Sequence, residues 1–104
     1  MKTPKPTPTE EEDDHEPTDE ERAQAGPLAD EGRDLLYENK LKAAEAKLLQ
    51  AKRLDPASPN TYLYLILVYR KLGNEAKAQQ VMREARNRVP GWNNNIYVQQ
   101  LLGQ

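Results

Sequence analysis

Residues 41–56 read LKAAEAKLLQAKRLDP, and residues 75–90 read EAKAQQVMREARNRVP. Set against each other at a distance of 34 residues, they agree where side-chain size matters. Ala44, Leu48, Ala51 and Pro56 fall opposite Ala78, Met82, Ala85 and Pro90. In both stretches a small residue, a bulky apolar one and a second small one recur at helical spacing, and a proline ends the run. A period of this length belongs to chains built from stacked helix–turn–helix units, because one such unit alone cannot bury its apolar side.

Outward from these two stretches the remaining elements follow. Gly26-Pro27 opens a first helix, since the N–H that proline lacks would be unpaired in a first turn anyway. Leu28, Leu35 and Leu36 continue it at helical spacing, and Asn39, which tolerates the left-handed conformation, closes it. The second helix covers about residues 41–54, with Leu41, Ala44, Leu48 and Ala51 on one side, and stops at Asp55-Pro56. Ser58-Pro59 offers a cap and a proline start for a third helix over about residues 60–72, which ends at Gly73. Asn74 can cap the fourth, about residues 75–89, with Ala78, Val81, Met82 and Ala85 inward. Pro90-Gly91 ends that one, and a shorter fifth helix from about residue 93 carries Ile96, Tyr97, Leu101 and Leu102. Five helices and no strand predict an all-α chain.

Charge divides the chain into two parts. Residues 1–25 hold nine acids against three bases, a net −6, while residues 26–104 hold twelve bases against eight acids, a net +4. The first part also contains Pro4, Pro6, Pro8 and Pro17 and no Leu, Ile, Val or aromatic residue. It cannot bury enough apolar surface to offset its ordering entropy, so it is expected to be a disordered acidic tether ahead of a helical repeat domain over residues 26–104. Two other uses of this tail are weaker: an electrostatic flap over the basic body, and a metal site at Asp14-His15-Glu16, which has no preset ligand geometry. The chain has no cysteine, which excludes disulfides, thiol nucleophiles and thiolate-bound zinc. The longest apolar run, residues 62–69, falls far short of the roughly 20 residues that span a bilayer, and no apolar export segment follows Met1. A cytoplasmic protein is expected, or a periplasmic or membrane-tethered bacterial one if Met1 stands where a signal was removed.

The 34-residue pattern closely resembles the tetratricopeptide repeat family over about residues 26–104. The second unit carries that family's marks at Tyr62, Leu65, Tyr69, the turn glycine Gly73, Ala78, Met82, Ala85 and Pro90; Ile66 departs from its close-packing glycine. The first unit has Leu28, Glu31, Gly32, Leu35, Asn39, Ala44, Leu48, Ala51 and Pro56 in the same places, with Glu31 departing from leucine. The fifth helix is similar to the family's terminal solvating helix: Ile96 follows Tyr62 by 34 residues, and Gln99 and Gln100 stand where a further unit would prefer Leu and Gly. The resemblance implies a stack of antiparallel helix pairs whose first helices line a concave, protein-binding surface. It does not extend to the clamp by which some relatives hold a terminal carboxylate. The matching positions are Ala29, Arg33, Tyr64 and Val98, with Asn only at Asn60 and Asn94.

The third helix is apolar on every side, and such helices are normally buried on every side. Tyr62, Leu65, Ile66 and Tyr69 form its packing side. Given the concave surface that the resemblance implies, Leu63 and Leu67 are expected to face that groove beside Leu36 and Tyr37. Asn60 and Tyr64 share it, and Arg33, Arg70 and Lys71 stand at its margin. The expected function is that of an adaptor or scaffold binding a peptide or partner helix there. The alternative is self-association through the same surface, as a homodimer or an envelope assembly. Mutual coverage of these residues, with no ligand, is a third outcome. Lys42, Lys47, Lys52, Arg53, Lys77, Arg83, Arg86 and Arg88 make the second helices basic, which reads as a solvated convex side; without interleaved aromatics it is weak grounds for nucleic acid. No phosphate-binding loop occurs, His15 is the only histidine, and Ser58, the only serine, is explained as a cap, so neither enzymatic activity nor a cofactor is expected.

Overall fold

The computed structural model of the chain describes residues 16–102. Among these, five α-helices and one short 3-10 turn account for the regular structure, with no strand. They are α1 (Asp19–Tyr37), α2 (Leu41–Leu54), α3 (Pro59–Lys71), α4 (Glu75–Arg88), the 3-10 turn Trp92–Asn94 and α5 (Ile96–Leu102). The sequence places α2 to the residue and α3 and α4 to within one.

The 34-residue period is visible in the backbone itself. α2 and α4 are both 14 residues long. At the end of α1 the Asn39 N–H donates to the Leu36 carbonyl (2.9 Å) and the Lys40 N–H to that of Leu35 (2.8 Å). At the end of α3, Gly73 donates to Arg70 (3.0 Å) and Asn74 to Tyr69 (2.8 Å), the same Schellman closure one period on. Both closures need a left-handed residue, which Asn39 (φ 66°) and Gly73 (φ 78°) supply. Each connection is three residues long, so the helices it joins run antiparallel.

Packing follows from residue size. α1 lies on α2, α2 on α3 and α3 on α4, and α1 also reaches α3. Ala44, Ala51, Ala78 and Ala85 have no exposed surface, since small residues let helix axes approach. Gly32 serves the same purpose in α1: a Cβ there would lie 2.5 Å from Leu48 Cγ. The bulky partners Leu48, Tyr62, Leu65 and Ile66 are likewise sealed from solvent.

Two features depart from the sequence reading. α1 begins at Asp19, and Pro27 lies inside it and does not start it. Thr18 and Glu21 form a reciprocal capping box, with Glu21 N–H donating to Thr18 Oγ1 (3.1 Å) and Thr18 N–H to Glu21 Oε1 (3.0 Å). Ala25 is buried, so the boundary expected at residues 25/26 moves to Thr18. The expected disorder of residues 1–15, and the metal reading of His15, lie outside the described residues. Ser58 does occupy the cap position of α3, but its side chain makes no capping bond.

The second feature is Trp92, just after the Pro90-Gly91 stop and 2% exposed. Its ring meets Tyr62 edge to face, centroids 6.5 Å apart at 77°, while the Tyr62 hydroxyl donates to the Pro56 carbonyl (2.6 Å). Trp92 thereby ties the end of the chain to the second unit. Trp92 Nε1 and Thr61 Oγ1 are buried with no hydrogen-bond partner among the described residues. Asn95 caps α5 through bonds accepted from Tyr97 N–H (2.9 Å) and Val98 N–H (3.1 Å), and Val98 enters the common core.

Candidate binding face

The nine residues expected to share one surface separate into two groups. Leu36 and Leu63 are each 2% exposed and belong to the same contiguous core as Val98. Their expected place in an open groove is therefore corrected. α3 buries Thr61, Tyr62, Leu63, Leu65, Ile66, Val68 and Tyr69, nearly its whole circumference, so Leu63 packs with Leu36 in the common core and does not line an open groove.

What α3 leaves open is a single stripe. Asn60 and Lys71 are exposed and Tyr64 and Leu67 half-buried, at the i, i+4, i+7, i+11 spacing that aligns side chains on one side of a helix. Leu67 and Tyr64 rest on the core by one edge. On α1, Arg33 is half-buried and Tyr37, one turn later, is 66% exposed. α1 touches α3, so Arg33 and Tyr37 lie on the helix neighbouring the one that carries Tyr64 and Leu67.

The charges of this face are largely paired within it. Arg33 holds Asp34 at 3.2 Å and Asp30 at 3.5 Å. The Asp34 hydrogen bond, more than any other contact, holds the guanidinium pKa above its ordinary value. Arg70 lies 3.4 Å from Glu75. Glu75 is held below the ordinary carboxylate range, first by the Gln79 amide (2.8 Å) and then by Arg70. Lys71 has no ionic partner among the described residues. The face thus offers an aromatic and aliphatic centre (Tyr37, Tyr64, Leu67), an amide (Asn60) and one uncommitted ammonium.

The basic helices α2 and α4 are electrostatically quieter than their base count suggests. Lys42 pairs with Glu45 (3.6 Å), Lys47 with Glu31 (3.2 Å), Lys52 with Glu84 (2.9 Å) and Arg88 with Glu84 (3.8 Å). Lys77 stands over the Tyr69 ring, 5.5 Å from its centroid. Of the eight bases, Arg83 and Arg86 alone have no partner among the described residues, because Arg53 too is engaged. A cleft of about 580 Å³ lies elsewhere, where the start of α1 meets the α2–α3 connection, lined by Pro17, Arg22, Asp55 and Ser58 among others. The described residues hold no cluster of three or more potential metal ligands and no helix long and apolar enough to cross a membrane.

Trp92 is the residue the sequence reading missed. It lies where the period offers no aromatic counterpart, since the matching position one unit earlier is Ser58. Compared with protein-family models, curated proteins and solved structures, the chain finds no match in any of the three.

Proposed function

We propose that the chain is a tetratricopeptide-like interaction module that binds a peptide or partner helix along the open stripe of α3 and the adjoining edge of α1. The observation that carries this reading is the contrast within α3. A helix buried around nearly all its circumference leaves one line open, and that line holds Tyr64 and Leu67 between Asn60 and Lys71. Exposed aromatic and aliphatic side chains that are rigidly backed by a core make good anchors, because little entropy is lost when a partner covers them. A helix or extended segment with apolar residues at matching spacing and an acidic group toward Lys71 complements this face.

Selection from a displayed random-peptide library against the full chain tests it. Enriched peptides should share spaced apolar residues, and their binding should fall at least about tenfold on Tyr64→Ala or Leu67→Glu, as expected when an interface anchor is lost. Arg83→Glu on α4 should leave it unchanged. Enriched peptides indifferent to the stripe variants, or no enrichment at all, would contradict the assignment.

A further inference from the structure

We infer that α5 is the contact face between two copies of this chain, related by a two-fold axis. Ile96 is 60% exposed, Tyr97 65% and Leu101 49%, three of the five large hydrophobic side chains open to solvent among the described residues. On a helix of 3.6 residues per turn, Ile96, Gln100, Tyr97 and Leu101 occupy one side while Val98 and Leu102 turn to the core. The positions one period earlier show what such residues ordinarily meet. Tyr62, the counterpart of Ile96, is fully buried, and Leu63, the counterpart of Tyr97, is 2% exposed. In the second unit α4 follows and lies on α3; no described element follows α5.

The occupant is narrowed by composition and charge. Residues 89–104 contain no Asp, Glu, Lys or Arg, in a chain that is 31% charged, so two such faces meet without like-charge repulsion. Residues 1–15 do not match the face, for they contain no Leu, Ile, Val, Phe, Tyr or Trp. Head-to-tail stacking would instead set α5 against α1, whose exposed positions include Gln24, Pro27, Glu31 and Asp34. The other open apolar surface, the stripe of α3, is flanked by Arg33, Arg70 and Lys71, whereas α5 carries no charge, so the surface that best matches α5 is α5 of a second copy, which makes the contact self-complementary and closed.

Sedimentation equilibrium of the full chain from about 10 μM to about 1 mM, the range of a modest interface, reads the outcome. The weight-average mass should rise from 11.9 kDa toward twice that value. Leu101→Glu and Leu101→Lys, each at an exposed site, should keep native helicity and each raise the dissociation constant at least about tenfold, because like charges then meet across the axis. An equimolar mixture of the two variants should recover association. The inference is overturned by a constant monomer mass over the range or by a dimer indifferent to both substitutions. It is equally overturned by a mixture that stays monomeric, or by a dimer that Tyr64→Glu on the α3 stripe abolishes while the Leu101 variants do not.

Discussion

Gly32 shows how far a single residue decides the first helix pair. A methyl group on its Cα would sit 2.5 Å from Leu48 Cγ and 2.7 Å from Leu48 Cδ2, and Leu48 is itself sealed in the core. Gly32→Ala should therefore destabilise by about 1–3 kcal/mol, the usual cost of overpacking, despite alanine's better helix propensity. Urea unfolding of the variant measures it, and an unchanged midpoint would mean that α1 can move away from α2. Tyr69 carries the clearest pH signature. Burial first, and then the hydrogen bond its hydroxyl donates to Glu45 (2.7 Å), hold its pKa above that of an ordinary phenol. Folding thus favours the neutral phenol. That contribution is complete below the unfolded pKa near 10 and is lost as pH rises through the higher folded value. Tyr69 should be among the last of the five tyrosines to ionise in an absorbance titration, and Tyr69→Phe should flatten the alkaline loss of stability. Gly32 was legible because its slot recurs in a known pattern; the burial of Trp92 was not, because it depends on a contact with Tyr62 that no local spacing encodes.

At the level of elements, the turns were legible and the first helix start was not. Asn39 and Gly73 announce left-handed closures by residue type alone, and both adopt them. The start of α1 was also written in the sequence, as Thr18-Asp19-Glu20-Glu21. That capping signature competed with Gly26-Pro27, a more familiar way to open a helix, and with the acidic composition around it. The cap prevails because it satisfies two N–H groups and places Asp19, Glu20 and Glu21 on the positive end of the helix dipole. Thr18→Ala should cost about 0.5–2 kcal/mol. A chain starting at Gly26 should melt well below one starting at Glu16, because it also loses the buried Ala25. Equal melting temperatures would show that the first two turns of α1 add nothing to the fold.

For the whole molecule, the central question is which apolar surface is core and which is open. A periodic pattern identifies sides of a helix but not how neighbouring units bend toward one another, so Leu63 and Leu67, adjacent turns of one helix, looked equivalent. In the folded chain they differ: Leu63 is 2% exposed within the core, and Leu67 rests against the core with one side in solvent. Burying an unpaired carboxylate costs several kcal/mol, a large share of the roughly 5–15 kcal/mol that holds a domain together. Thermal melts of Leu63→Glu and Leu67→Glu, followed by circular dichroism beside Ala78→Glu as a core reference, test the division most directly. Leu63→Glu should lose its cooperative transition as Ala78→Glu does, while Leu67→Glu should keep its helicity and a cooperative melt. If Leu63→Glu melts like the unsubstituted chain, or Leu67→Glu unfolds with the core variant, the boundary between core and binding face is misplaced and the account fails with it.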